Sequence, residues 1–383
     1  MSITHIFISY PNKSQPYNKK LIERLLDSKV KVKVISFTNE KKNTPNKVIS
    51  LEHKPLNWFK YLTTFFRDTK DFFKFKRHTN LSIKNALFLY GRYSLMKLET
   101  KSLIHIHHIQ LLNNELLSFL KIKKNKIILS FRGSDLLVRP LQSMSKRNNL
   151  LNILKKVDAI HTVSSNLKDV TVNYGFDKSK VFVIRRTVEV NNKISVKLNK
   201  ESKYQITTIA RLHWTKGYVL ALKALGKLKV SGVEFTYTIC GSKEEAIYDE
   251  LLFWVNKLNL IEEVNFVGHL SSRELDNILS ITDVYMQTSL SEGIPNTLLR
   301  CLVNRIPILT TNVGGIPEVF RDKIDGVLVE KLNEQNIFIG LKKLLEDSNL
   351  REQIINSESN LELDYKKEIE LYKKMYTQVN TYK

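Results

Sequence analysis

The sequence predicts an α/β fold built on parallel sheets and repeated in two domains, and three observations predict it. Residues 284–318 read as strand, turn, helix, strand and glycine turn, which is one βαβ unit. At 383 residues the chain exceeds one ordinary domain and suits two. A Lys/Asn-rich stretch without apolar periodicity, 191–204, separates two series of alternating strands and helices and reads as a linker. The division that follows is 1–190, 191–360 and a closing helical segment at 361–383.

In chain order, residues 5–9 (HIFIS) form a first strand, and Leu21, Ile22, Leu25 and Leu26 share one face of a helix. The loop between them, 10–18, carries Pro11 and Pro16 but no glycine. Residues 30–37 are a second strand. The stretch from Leu56 to Arg77 (LNWFKYLTTFFRDTKDFFKFKR) places Trp58, Leu62, Phe65, Phe66, Phe72 and Phe73 at helical spacing among six cations. Aromatics ringed by cations suit a helix lying on an anionic membrane surface. The same stripe also suits packing on a core, with solvated lysines, so both readings stand.

Residues 103–109 (LIHIHHI) are a strand whose alternation puts His105 and His107 on one face. No third Cys or His of suitable spacing lies nearby in sequence, so no metal is expected. Lys126–Phe131 is a strand ending in Arg132, Gly133, Ser134 and Asp135. A cation at that place can hold a phosphate or a hydroxyl. Residues 157–169 read as a strand followed by Ser164 and Ser165, good helix caps, and 180–186 completes the first sheet.

The second series opens with a strand at 205–210, closed by Arg211, with Lys216 before Gly217. Two fixed cations where a strand ends would neutralise a diphosphate. Residues 235–241 form a strand with a glycine exit at Gly241, 250–258 part of a helix, and Val264–Gly268 another strand, followed by His269 and Leu270. Val284–Gln287 then runs into the polar turn 288–293. Pro295 suits the first helical position, 297–303 is a short helix, 306–311 the next strand, and 313–315 a glycine turn before Glu318. Ligands of such sheets bind at the carboxyl ends of the strands, where a starting helix favours phosphate. Glu292 stands there with nothing apolar to pack on. Taken alone it is either a carboxylate for ligand hydroxyls or a solvated cap.

Composition bounds the rest. With 42% hydrophobic residues the chain fills two cores. No apolar run approaches the ~20 residues of a membrane span, and the N-terminus turns polar too early for a signal peptide. Cys240 and Cys301 fall in predicted core elements, as expected of free thiols in a cytoplasmic protein. The formal net charge of +23 asks for an anionic partner. Nucleic acid binding would rest on charge alone and is not expected.

The stretch SEGIPNTLLRCLVNRIPILTTNVGGIPE resembles the signature of glycosyltransferase family 4, at Glu292, Gly293, Pro295, Gly314, Gly315 and Glu318. The resemblance covers roughly 3–345 and is strongest from 204 to 320. It implies a GT-B architecture, two doubly wound Rossmann-like domains facing a cleft, the first on the acceptor side and the second binding a nucleotide sugar. The last helix would return to the first domain. The implied reaction is retaining transfer of a hexosyl group from a UDP- or GDP-sugar to a glycan or lipid-linked acceptor, in surface polysaccharide assembly. The nucleotide sugar is a co-substrate, and no cofactor or metal is implied.

In that reading Arg211 and Lys216 resemble the pair that holds the donor diphosphate, and Glu292 orients the donor sugar. Gly241, Gly268, His269, Leu270, Gly293, Ile294, Asn296, Thr297, Leu298 and Arg300 form the donor side, and His107 (or His108 in its place), Arg132 and Asp135 the sugar and acceptor side. A peripheral place at the inner face of the plasma membrane, through the stretch from Leu56 to Arg77, goes with lipid-linked acceptors. The family pattern has a second Glu, for the ribose hydroxyls, eight positions after the first. Here that position is Arg300, which can only donate hydrogen bonds. Arg132 stands where the family often has His, and Arg186-Thr187 where it has Asn-Gly. These departures fit an alternative, a non-catalytic GT-B subunit that binds a partner or glycan.

Overall fold

The computed structural model describes residues 2–12, 16–38, 48–51, 63, 65–188, 194, 203–242 and 245–382. Trp58 and Leu62, and most of the stretch 191–204 expected as a linker, lie outside the described residues. The chain divides into two compact units. The first takes Met1–Val163, Lys168–Arg185 and Tyr365–Lys383, and the second takes Ser164–Leu167 and Arg186–Asp364. Residues 186–190 therefore group with the second unit rather than the first.

In the first unit, β1 (Ser2–Ser9), β2 (Lys31–Thr38), β3 (Val48–Ser50), β4 (Leu103–Ile106), β5 (Lys126–Phe131), β6 (Ala159–Thr162) and β7 (Val181–Val183) form one sheet in the order β3-β2-β1-β4-β5-β6-β7. Every described pairing is parallel. Such strands are covered on both faces, in keeping with the nearly continuous burial of β1 and β5. The connecting helices are α1 (Pro16–Asp27), α2 (Thr69–Thr79), α3 (Ile83–Ser94), α4 (Asn114–Ile122), α5 (Ser134–Leu137), α6 (Met144–Leu154) and α7 (Ser165–Asn173), the first three residues of α7 being counted in the second unit. Asn113 and Ser143 cap α4 and α6 by accepting from Leu116 N–H and Lys146 N–H. β4 stops at Ile106, short of the expected 109, because the chain turns into a 3-10 helix at Ile109–Leu111.

The second unit's sheet holds β8 (Tyr204–Ile209), β9 (Phe235–Cys240), β10 (Val264–Gly268), β11 (Val284–Gln287), β12 (Ile308–Thr311) and β13 (Gly326–Val329), in the order β10-β9-β8-β11-β12-β13, again parallel. Its helices are α8 (Tyr218–Val230), α9 (Glu245–Lys257), α10 (Ser272–Ser280), α11 (Asn296–Val303), α12 (Glu334–Glu346) and α13 (Ser348–Asn356). Alternation along β11 divides the core. Val284 and Met286 join Leu222, Leu251 and Leu341 on one face, while Tyr285 joins Leu279, Leu298 and Leu302 on the other. Residues of α8, α9 and α12 thus cover one face, and residues of α10 and α11 the other.

The closing helix, α14 (Tyr365–Thr381), packs in the first unit through Ile369, Tyr372, Met375, Tyr376 and Val379. It starts later than the apolar spacing from Leu361 suggests, because Leu361 is drawn into the core around α11. Arg24 of α1 and Glu368 of α14 form an ion pair at 3.1 Å, both side chains buried.

Candidate functional site

The order of the second sheet reverses between β8 and β11, and ligands of open α/β sheets bind where the order reverses, outside the strands' carboxyl ends. The loops leaving those two strands are knitted together. Leu290 N–H donates to Thr215 O at 2.7 Å, and Thr288 Oγ1 donates to Gly217 O at 3.1 Å. Gly217 has a φ of +68°, and a Cβ there would lie 2.0 Å from Thr288 O, so only glycine lets the loops meet.

Lys216 and Glu292 come together in this place. Lys216 Nζ lies 2.5 Å from Glu292 Oε1, with the two side chains 20% and 10% exposed. Ser289 Oγ donates to the same oxygen at 2.8 Å, and Gln287 Nε2 at 3.5 Å. Tyr285 O–H in turn donates to Gln287 Oε1 at 3.1 Å. Burial pushes that phenol's pKa well up, so it stays a proton donor. Glu292 is therefore neither a cap nor solvated: three donors meet its Oε1 and hold the carboxylate.

Behind Glu292 runs the glycine turn. Gly315 N–H donates to Gly293 O at 2.8 Å, and a Cβ on Gly314 (φ +58°) would fall 1.8 Å from Glu292 O. The signature's glycines thus set the height of the Glu292 loop. Glu318 accepts from the amides of Ser165 and Asn166 at 2.9 and 2.7 Å, all three residues counted in the second unit. Its carboxylate is spent on backbone.

Ile294 leads into α11. Pro295 stands at the N-cap in extended conformation (φ −71°, ψ 131°), one place earlier than expected. Its ring fixes φ for entry, and the helix proper opens on the amides of Asn296, Thr297 and Leu298, which have no intrahelical acceptor. Arg186 Nη1 donates to Asn296 Oδ1. Sequence reasoning noted Arg186 only as a departure, yet it brings a cation to the start of α11. Arg211 is exposed just after β8, and Trp214, 51% exposed, stands in the turn before Lys216.

Gly241 closes β9 against Ala210, where a Cβ would lie 1.9 Å from the carbonyl oxygen, so close packing alone accounts for a glycine. Gly268 (φ +74°) ends β10, and exposed His269 and half-buried Leu270 follow it at the same edge of the sheet. Ser271 and Glu274 then form a capping box on α10. Arg300 reaches that helix: its Nη2 donates to Asp276 Oδ1, to Ser272 O at 3.1 Å and to Ser272 Oγ at 3.3 Å.

The first unit gathers His107, Arg132 and Asp135 at the ends of β4 and β5, but its histidines differ from expectation. His107 is 1% exposed, and its ring lies between His5 (Nδ1 to Nε2, 2.9 Å) and Arg132 (Nη2 to Nδ1, 2.8 Å). The face it shares with His105 turns inward, toward Tyr376 of α14, whose hydroxyl meets His105 Nδ1 at 2.9 Å. Neighbouring His108 is the half-buried one. Arg132 also donates to His107 O and Asn18 Oδ1 and lies over the Tyr17 ring at 5.1 Å. Asp135 accepts from Gln110 Nε2 at 3.1 Å, and burial raises its carboxyl pKa against the pull of Arg139 and Arg132.

Sequence spacing offered only two histidines for a metal, whereas the pairing of β1 with β4 sets His5 opposite His105 and supplies a third. His5, His105 and His107 each bring a ring nitrogen within 4.8 Å of the others. Arg132 decides what they can do. A guanidinium only donates, so His107 Nδ1 accepts and its proton sits on Nε2, which donates to His5 Nδ1. A metal on His107 Nε2 would have to displace that proton, leaving the ring an anion. The trio is better described as a hydrogen-bonded core. It ends on His5 Nε2–H, which is buried and unpartnered among the described residues.

The two parallel, doubly wound units define a GT-B fold. HepE of Anabaena in complex with UDP-glucose superposes with a TM-score of 0.69 over 99% of this chain and 98% of that one, at 15% identity. Residues 190–360, which include Lys216 and Glu292, match the family described as Glycosyl transferases group 1. One relative is the N-acetylgalactosamine-N,N'-diacetylbacillosaminyl-diphospho-undecaprenol 4-alpha-N-acetylgalactosaminyltransferase of Campylobacter jejuni subsp. jejuni serotype O:2. It is 29% identical over 199 residues, 50% of this chain and 51% of that protein. Another is the amylovoran biosynthesis glycosyltransferase AmsK of Erwinia amylovora, 25% identical over 250 residues, 63% of this chain and 60% of that protein. The chain thus spans little more than half the length of these curated relatives.

Proposed function

We propose that the protein transfers a hexosyl group from a UDP- or GDP-sugar to a glycan or lipid-linked acceptor, with retention, in surface polysaccharide assembly. The observation that carries the proposal is the meeting of Lys216 and Glu292 where the second sheet reverses order, inside the segment that matches the family. A lipid-linked acceptor draws support from the diphospho-undecaprenol in the Campylobacter relative's name, and a nucleotide-sugar donor from the ligand bound to HepE.

In this reading the donor's diphosphate takes hydrogen bonds from Lys216, from exposed Arg211 and from the amides opening α11. Charge developing on the leaving group is met by fixed donors that need no rearrangement. Glu292, held by Lys216, Ser289 and Gln287, accepts from hydroxyls of the donor sugar. The bond from anomeric carbon to diphosphate oxygen breaks and a bond to the acceptor oxygen forms on the same face. The acceptor's proton passes to the departing phosphate, so no side-chain base is required. His108, Arg132 and Asp135 of the first unit serve the sugar and acceptor.

Among the described residues no helix is long and apolar enough to cross a membrane. Access to a lipid-linked acceptor is assigned instead to the aromatic, cationic segment around α2, at the inner face of the plasma membrane. A panel of nucleotide sugars screened for slow hydrolysis tests the activity. One or a few donors should release nucleoside diphosphate, and Glu292→Gln should abolish the release. Equal inertness toward the whole panel would overturn the proposal.

A further inference from the structure

Arg300 offers a donor where a nucleotide's ribose would need an acceptor, and the structure shows what stands beside it. α10 begins at Ser272 and α11 at Asn296, both at the carboxyl edge of the second sheet. Asp276 and Arg300 are each the fifth residue of their helix, so both lie one turn in from that edge and face one another. Arg300 Nη2 donates to Asp276 Oδ1 and to both oxygens of Ser272, which fixes the carboxylate against α11. The Asp276 side chain remains 35% exposed, more than its partner's 25%. A carboxylate accepts through up to four lone-pair sites, and one arginine nitrogen uses only one of them. The loop carrying Gly268, His269 and Leu270, which the resemblance places on the donor side, leads directly into α10.

We infer that Asp276 supplies the ribose acceptor that position 300 lacks, with Arg300 as the positioning residue that holds it. The carboxylate has moved from α11 to α10, and the cation left behind anchors it. Asp276 therefore sets a preference for nucleotides with ribose hydroxyls. The inference rests on the nucleoside-diphosphate site proposed above, and an ion pair that merely ties α10 to α11 would show no such preference.

Calorimetric titration with UDP, GDP and their 2′,3′-dideoxy counterparts separates these cases. The wild type should bind the ribonucleotide about tenfold or more tightly than the dideoxy form, the effect of one or two hydrogen bonds to a charged acceptor. Asp276→Ala should bring that ratio to about one. The exchanged pair Asp276→Arg/Arg300→Glu keeps the ion pair, guards against a failure to fold, and should restore the ratio. Because each ratio is taken within one protein, a change in folded fraction does not move it. A ratio unchanged in Asp276→Ala, with nucleotide still bound, would overturn the role of Asp276 and leave the donor site standing. If no nucleotide binds the wild type, the donor site falls and Asp276 with it.

Discussion

Lys216 and Glu292 form an ion pair between partners 20% and 10% exposed, where removing either leaves a charge short of its partner. Ser289 and Gln287 donate to the same carboxylate oxygen as Lys216, so Glu292 is still held when Lys216 turns to a diphosphate. Lys216→Ala should therefore weaken nucleoside-diphosphate binding by about 2 kcal/mol, roughly thirtyfold, read by titration. Affinity within twofold of wild type would show that the ammonium does not meet the phosphates. Both residues were legible in the sequence, since each follows a strand at the spacing the family uses. Arg186 was not, because its contact with Asn296 spans 110 residues and nothing local marks it. Asp276 was missed for a like reason: its importance comes from Arg300, on another helix.

Among the elements, α2 divides the aromatic stripe that left two readings open. Phe72 and Phe75 are buried and pack edge-on or tilted against Tyr90, while Phe66 and Phe73 are 74% and 57% exposed. The core reading holds for Phe72 and Phe75, because the helix buries only one stripe, and the membrane reading now rests on the exposed rings as a proposal to test. Phe66→Ser and Phe73→Ser should each reduce sedimentation with anionic vesicles, an exposed ring being worth up to about 1.5–3 kcal/mol when buried. Sedimentation equal to wild type would remove lipid from the account of this helix.

The strands β1 and β4 carry a second prediction. Burial lowers the pKa of His5 to about 3, and that of His105 and His107 well below the usual value. Unfolded, these rings titrate near 6.5, so between that pH and about 3 the unfolded chain binds more protons than the folded one. Stability contributed by the neutral rings is complete above pH 6.5 and is lost as pH falls toward 3. The slope is about 1.4 kcal/mol per pH unit for each ring that charges on unfolding. Denaturant melts of wild type and His5→Gln from pH 7 to 4.5 should show a shallower decline in the variant. Parallel declines would mean that His5 takes up its proton while folded. The alternation of 105 and 107 was readable from the strand. Their inward direction was not, because it depends on α14, which joins this sheet from the far end of the chain.

At the scale of the whole molecule, two sheets of the same design each reverse strand order once, between β1 and β4 and between β8 and β11. Buried parallel strands announce themselves as apolar runs, so β5, β10 and β11 fell on their expected residues, whereas the short edge strands β3 and β13 were not expected. Helix starts were harder to place, since Pro295 and Leu361 are governed by loop and core contacts made elsewhere. The family match covers 190–360, which is where the signature residues lie; the first unit, with Arg132 and its histidine core, stands outside it. The central claim is that the carboxyl edge of the second sheet holds a nucleoside diphosphate. Titration of the wild-type protein with UDP and GDP measures this most directly. Saturable binding of at least one of them, at one site per chain, is the predicted result, and no detectable binding of either would contradict the account.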